Sequence, residues 1–293
     1  MRQLTHINLF PIKSCGGYSV DSALMKAGGL QGDRRYMLVN ENGRFLSQRT
    51  QPRMSLIQVK PDDGGFLVVA PGQTELSLPA VLPADDMRQV KVWKDELPAV
   101  LAPAAINEWF AAVLGIPCQL VYMNKPNGRR VKSGYGGPED SLSFADGAPV
   151  MLVSSESLVD LNQRLEESVD MMRFRPNFVV TAGTAFAEDR WRQIRIGSAK
   201  FDVAWPCTRC VIPTVDPATG EQDALGEPIA TLNAFRRSPS GVTFGQNLIP
   251  RRLGQVQVGD LVEIVESLDY EEREKELARF RFLRRDLLKI RGS

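Results

Sequence analysis

Short runs of alternating apolar and polar residues, punctuated by Gly, Pro and Asn, fill the first hundred positions and predict β structure. Leu4, Ile7 and Leu9 form a short strand that Pro11 ends. Tyr36 to Asn40 and Arg44 to Gln48 flank Glu41-Asn42-Gly43, a hairpin signal because Asn-Gly accepts the positive φ of a tight turn. Met54 to Val59 and Phe66 to Ala70 flank a second turn at Pro61 to Gly65, and Val90 to Trp93 adds another strand. Helical spacing first occurs from Ala104 to Leu114, where Ile106, Trp109, Phe110 and Val113 share a face before Gly115 and Pro117 stop the run. Cys118 to Tyr122 reads as strand again.

From Asn124 to Ser141 the chain is rich in Gly, Pro, Lys and Arg and has no periodicity, which predicts a mobile connection at a domain boundary. Val150 to Val153 is then strand-like, and Ser154 or Ser155 caps a helix with Leu158, Leu161 and Leu165 on one face. Phe178 to Val180, Gln193 to Ile196, Phe201 to Ala204 and Cys210 to Val215 read as short strands, and Val256 to Val265 as a strand bent at Gly259-Asp260. The tail differs: Glu271 to Arg291 lacks Gly and Pro, and Phe280, Leu283, Leu287 and Ile290 recur at heptad-like spacing among basic residues. The pattern predicts an α+β, predominantly β fold of two barrel-like units. The expected divisions are residues 1–123, a connection at 124–141, a second unit at 142–267 and a basic amphipathic helix at 268–293.

Composition narrows the function. The chain of 293 residues has room for two cores, and its net charge of +1 gives no global field for nucleic acid. No apolar run approaches the length of a membrane span, and the amino-terminal stretch has no signal-peptide pattern. Four cysteines in such a chain argue for a reducing compartment, so the expected location is cytoplasmic. A single histidine, His6, all but removes histidine acid–base catalysis and multi-histidine metal sites.

The sharpest local feature is Pro206-Cys207-Thr208-Arg209-Cys210. Structural zinc needs about four ligands, and Cys15, Cys118 and His6 are scattered. A thioredoxin-type pair opens a helix, whereas Val211-Ile212-Pro213-Thr214-Val215 opens none. Two readings remain: a single thiolate ligand for a soft or high-valent metal, with Arg209 favouring the anion, or two structural cysteines. Lys13-Ser14-Cys15-Gly16-Gly17 can form a phosphate nest of backbone N–H groups or a plain turn. Asp33-Arg34 offers a surface ion pair, and Arg175 and Asn177 offer either a phosphate clamp with a ring contact or solvated turn residues.

Taken together, Leu9-Phe10-Pro11-Ile12-Lys13-Ser14-Cys15, Asp33-Arg34, Phe174-Arg175-Pro176-Asn177, the cysteine pair, Thr214-Val215-Asp216-Pro217 and Phe244-Gly245-Gln246-Asn247 stand in the order seen in MOSC-domain proteins. From about residue 3 to 266 the sequence resembles the mitochondrial amidoxime-reducing components and, still more, their bacterial iron–sulfur relatives. The resemblance implies a β-barrel MOSC amino-terminal domain, a MOSC domain and a molybdenum cofactor (molybdopterin) between them. It implies Cys210 as the molybdenum ligand, and Lys13, Ser14, Arg34, Arg175, Asn177, Thr208 and Arg209 as cofactor contacts. Asp146 matches a carboxylate near the metal that could orient or deliver a proton, with Gly147 and Ala148 beside it. Asn247 stands where the mitochondrial members carry a tyrosine, and Gly147 and Ala148 lack the hydroxyls of that pattern.

The implied activity is a detoxifying reduction of N-hydroxylated or N-oxygenated small molecules, such as hydroxylaminopurine-type bases, with no pyridoxal phosphate. The bacterial relatives continue into a ferredoxin-like domain, whereas this sequence has no cysteine after Cys210. The expectation is therefore no iron–sulfur cluster in this chain and an external electron donor, a ferredoxin, flavodoxin or flavin reductase. The basic tail reads as a donor dock, a membrane-surface helix or a plainly packed helix. The alternative function is a cofactor or sulfur carrier without reductase activity, because MOSC domains also occur in cofactor sulfuration.

Overall fold

Strands account for most of the regular structure, and the reason lies in the short apolar runs that Gly and Pro keep interrupting. The structure, a computed structural model, describes residues 1–124, 129–131, 134–269, 271–273, 275 and 278. Its largest sheet orders the strands Tyr18–Val20, Leu4–Leu9, Phe178–Val180, Val150–Ser154, Gly241–Arg252, Ala199–Thr208, Trp191–Ile196 and Val262–Ser267, with Arg237–Ser238 pairing on the side. All these pairings are antiparallel except that of Val150–Ser154 with Phe178–Val180. A four-stranded sheet joins Tyr36–Val39, Gln119–Tyr122, Asp95–Leu101 and Met87–Val92, and a three-stranded one joins Gln58–Asp62, Gly65–Val69 and Leu76–Pro79. The sheets curl part of the way toward barrels.

Two large apolar cores follow. Tyr36, Leu38, Met54, Ile57, Val68, Phe110 and Leu120 fill one, covered by the helix Ala104–Leu114. Leu4, Ile7, Leu152, Phe178, Phe201, Val203 and Leu248 fill the other. Much of the first thirty residues serves this second core, while Ile12 and Cys15 enter the first: Leu4–Leu9 pairs with Phe178–Val180, and Ser22–Lys26 pairs with Gly254–Gln257.

The helix at Ala104–Leu114 has the predicted bounds, and Gly115 ends it at φ 69°, a left-handed cap open to glycine. Ser154 caps the helix Ser155–Asn162 by accepting from the Ser157 N–H. Other expectations change. Residues 52–56 form a 3-10 turn opened by Pro52, so the strand expected from Met54 begins only at Gln58, and the hairpin closes tightly through Asp63-Gly64. Arg44 to Gln48 makes only isolated bridges, Phe45 to Val39 and Arg44 to Lys91, rather than a hairpin strand. The strand expected at Cys210 to Val215 is instead a loop followed by a 3-10 turn at Ile212–Thr214, because Pro213 has no N–H for a ladder.

The connection expected at 124–141 is partly ordered: Arg129–Arg130 pairs with Ser141–Leu142, and Arg129 is buried. The basic helix expected at 268–293 lies largely outside the described residues; 271–273, 275 and 278 are helical. No described helix is long and apolar enough to cross a membrane.

Candidate functional site

After the strand Leu4–Leu9, Pro11 turns the chain and Lys13 enters the protein, its N–H donating to the Tyr36 carbonyl at 2.8 Å. Ser14 adopts φ 66°, and the N–H groups of Cys15 and Gly16 donate to the carbonyls of Ile12 and Ile57. Those two donors are therefore committed within the protein, and of the two readings its sequence offered the segment is the tight turn rather than the nest. Gly16 is required, because a Cβ there would stand 2.9 Å from the Ile57 carbonyl oxygen. What the turn presents is side chains. The Lys13 ammonium donates to Phe144 O at 2.8 Å and to the Asp146 carboxylate, and stands 5.3 Å from the centre of the Phe45 ring. Burial pushes Lys13 down to about 8, against the pull of Asp146.

Two arginines then clasp one aromatic ring. Arg34 and Arg175 both hold left-handed backbone, φ 50° and 56°, and their guanidinium groups stack on Phe10 at 4.7 and 4.3 Å. Asp33 is buried, not a surface partner: it accepts from the Phe10 N–H at 2.8 Å and from Arg34 at 2.5 Å. Arg34 also donates to Asn177 Oδ1 and to the Arg175 carbonyl. Arg175 donates to Cys15 O at 2.5 Å, but its buried Nη2 has no partner. Burial, aided by Arg34, pushes Arg175 down to about 9. Asn177 is locked between Asn8 O and the Met151 N–H.

Asp146 stands opposite. Arg129 holds its segment by donating to the carbonyls of Ser143 and Ala145 and to Asp95. The Asp146 carboxylate accepts from Lys13, from Arg49 at 3.3 Å and from the Trp93 indole N–H at 3.1 Å. Burial raises its pKa, but Lys13 and Arg49 outweigh that and hold the carboxyl well below the usual carboxylate range. It is therefore ionised at neutral pH and has no proton to deliver.

The cysteine pair closes the site. Cys207 and Thr208 end the strand Ala199–Thr208, and the Arg209 N–H donates to Val242 O at 2.8 Å. The Arg209 guanidinium reaches Cys207 Sγ and Met151 Sδ, each at 3.2 Å, and Phe174 O at 2.9 Å, while its buried Nε has no partner. It thus addresses Cys207 rather than Cys210. Cys210 is half-buried and free. Cys15 and Cys118 are buried and far up the thiol scale, at about 12 and 11, which leaves them inert.

All twelve residues expected at the site line one cavity of about 540 Å³: Lys13, Ser14, Arg34, Asp146, Gly147, Ala148, Arg175, Asn177, Thr208, Arg209, Cys210 and Asn247. Asn247 comes from the strand Gly241–Arg252, opposite Met151 and Trp205. The wall also includes residues that local sequence does not single out, among them Arg49, Trp93, Tyr135, Asp189, Arg190, Trp205, Arg236, Arg237 and Arg273. Among the described residues, nine cationic side chains thereby share this wall with two carboxylates, Asp146 and Asp189, in a chain whose net charge is +1. Their dispersal along the chain hid them; Arg49 and Trp93, stacked at 4.8 Å, come together only in the fold. Among the described residues no three His, Cys, Asp or Glu side chains gather into a metal cluster, so a metal held by Cys210 needs further donors from a ligand.

Residues 1–117 match the MOSC N-terminal beta barrel domain and residues 139–263 match the MOSC domain. The chain is 32% identical over 274 residues to mitochondrial amidoxime-reducing component 1 of Mus musculus, covering 88% of this chain and 80% of that protein. Against the Homo sapiens component 1, identity is 30% over 274 residues, covering 88% and 81%. A molybdenum cofactor sulfurase of Oryza sativa subsp. japonica is 32% identical over 264 residues, which span 83% of this chain and 32% of that longer protein.

Proposed function

Because this chain belongs to the MOSC-domain family that includes the mitochondrial amidoxime-reducing components, we propose that it binds a molybdenum cofactor through Cys210 and reduces N-hydroxylated or otherwise N-oxygenated small molecules. The observation that carries this reading is the convergence of twelve residues, from six separated stretches of chain, on one cation-lined cavity. The donor set fits the cofactor. Arg175 Nη2 and Arg209 Nε are buried at the wall without acceptors, as an anionic phosphate would require, and Cys210 offers a soft thiol to the metal.

When bound, the cofactor supplies the two-electron redox chemistry. The chain's residues do the rest. Lys13, Ser14, Arg34, Arg175, Asn177, Thr208, Arg209 and Asn247 hold the pterin and its phosphate; Gly147 and Ala148 leave the metal's surroundings open. Conversion of N–OH to N–H and water takes two electrons and two protons. The electrons come from a separate redox protein of the ferredoxin, flavodoxin or flavin reductase kind. Lys13, held near a pKa of about 8, keeps a proton it can release, and ionised Asp146 orients that ammonium. A reducing compartment, the cytoplasm, suits four cysteines that are all free.

Molybdenum and pterin per chain, measured on wild type and Cys210→Ala from a host that makes the cofactor, test the assignment. Near-stoichiometric metal in wild type, lost or altered in the variant, is the expected result. Equal metal with unchanged coordination in both would remove Cys210 from the site. A second reading, a sulfur or cofactor carrier, draws on the sulfurase relative and on the 3.2 Å contact between Arg209 and the Cys207 sulfur. Pterin without molybdenum, together with a persulfide mass on Cys207 or Cys210, would favour it.

A further inference from the structure

Eight of the nine cations lining the cavity fall into two groups; the ninth, Arg273, donates to the Val203 carbonyl oxygen at 2.7 Å. At the inner end each has a fixed counterpart: Lys13 and Arg49 pair with Asp146, Arg34 with Asp33, and Arg175 and Arg209 with carbonyl oxygens. Nearer solvent, Arg236 pairs with Asp189 at 2.7 Å, and their exposed sequence neighbours Arg190 and Arg237 line the same cavity. Neither of those has a carboxylate among the described residues. Arg237 donates only to the neutral Asn233 amide at 2.6 Å, and the Arg190 side chain has no acceptor among the described residues. Both line the cavity beside the hydroxyls of Ser238 and Ser240. The inner group accounts for a cofactor phosphate, so the rim is charge left over for a second anion.

The strand ladder fixes where that anion would lie. Arg237 is opposite Val242, whose carbonyl accepts from the Arg209 N–H, so two strand spacings of roughly 5 Å separate the Arg237 backbone from the segment leading to Cys210. Beyond that segment, Trp205 lies opposite Asn247, and its ring packs on Tyr135 with centroids 4.4 Å apart. The indole is also next to Gly147, 3.7 Å from where a Cβ would be. From Val242 to Asn247 the strand advances about 17 Å, so the arginine-bearing and aromatic parts of the cavity wall are separate along it. The cavity therefore offers an aromatic platform, Trp205 packed on Tyr135, and, elsewhere on its wall, the guanidinium groups of Arg190 and Arg237.

We propose that Arg190 and Arg237 anchor a substrate phosphate, so that the preferred substrates are phosphorylated nucleosides bearing an N-hydroxylated base, stacked on Trp205 and Tyr135. This inference rests on the reductase reading above. Base stacking supplies affinity without regard to base identity, and the arginines select the phosphate.

Calorimetric binding of cytidine and cytidine 5′-monophosphate to cofactor-loaded protein tests it without turnover. The monophosphate should bind about tenfold tighter or more, as charge-assisted hydrogen bonds of this kind give. In the R190Q/R237Q double variant that ratio should fall to about one, with cytidine still bound. Equal affinities in wild type, a preference that survives in the double variant, or one seen only in cofactor-free protein would each overturn the proposal. Turnover of N4-hydroxycytidine, followed on the same samples, separates the two readings. A phosphate preference without turnover upholds the anchor and removes the reductase, whereas turnover without a preference removes the anchor alone.

Discussion

Lys13 and Asp146 shift in ways that have opposite consequences for stability. Asp146 is held below its ordinary value of 3.8, so its ionised form stabilises the fold above that pH and the contribution is lost as the pH falls. Lys13 moves from 10.5 down to about 8, so holding it charged costs stability below about pH 8, and the cost is relieved as the pH rises toward 10.5. Replacing Asp146 with Asn removes the favourable partner and leaves the unfavourable burial. We expect a loss of about 1–3 kcal/mol at pH 7, less than for a fully buried pair because the Asp146 side chain is 49% exposed. The Lys13 pKa should fall further, below about 8, which NMR of its ammonium would test. Urea unfolding at pH 7 and pH 3 checks the sign, since the deficit should shrink at the lower pH; an equal deficit at both would assign it to packing. Nothing in the local sequence of Asp146 discloses this role, because its partners Lys13, Arg49 and Trp93 are remote in the chain.

The strand Gly241–Arg252 shows what an element adds to its residues. It carries Asn247 to the cavity and pairs on both sides, with Val150–Ser154 and with Ala199–Thr208. Its ladder with Ala199–Thr208 breaks register between Pro206 and Thr208, and Gly245 bends through φ 79° nearby. A Cβ there would lie 2.7 Å from the Leu152 carbonyl oxygen, so Gly245→Ala combines backbone strain with overpacking, a cost of about 2–5 kcal/mol. The same variant should lose molybdenum, because it displaces Asn247 and Thr208; full metal loading at an unchanged melting temperature would refute the argument. Elements with strong local signals were legible from sequence: the helix Ala104–Leu114 from its period and Gly115, and the cap at Ser154 from its hydroxyl. At Cys210 to Val215 the β-branched residues suggest a strand, whereas the missing N–H of Pro213 decides the structure. Arg129 reads as linker polarity, yet it is buried and fixes the Asp146 segment through carbonyl oxygens that composition does not reveal.

At the scale of the whole molecule, the amino-terminal thirty residues are shared out: Leu4–Leu9 and Tyr18–Val20 join the largest sheet, Ser22–Lys26 and Gly29–Leu30 form a small sheet with Gly254–Gln257, and Ile12 and Cys15 enter the other core. Leu4 and Ile7 are fully buried against the Phe178–Val180 strand, and Leu9, Met25 and Leu30 are nearly so. Sequence patterning could locate these short strands but not their partners, since a strand of three to six residues carries little register information. The arrangement makes a stability prediction for the carboxy-terminal half alone. A fragment of residues 124–293 contains the Cys210 loop and matches the MOSC domain in full, yet it lacks those five side chains. At about 1.5–3 kcal/mol each, their burial amounts to roughly 7–15 kcal/mol, comparable with the entire stability of an ordinary domain. It would also expose the ladder edge of Phe178–Val180, which Leu4–Leu9 otherwise covers. We therefore expect the fragment to be unfolded or aggregated by circular dichroism, and the intact chain to lose the near-ultraviolet signals of both halves in one urea transition. A fragment that melts cooperatively on its own would mean that the shared strands join two independent folds instead of completing one.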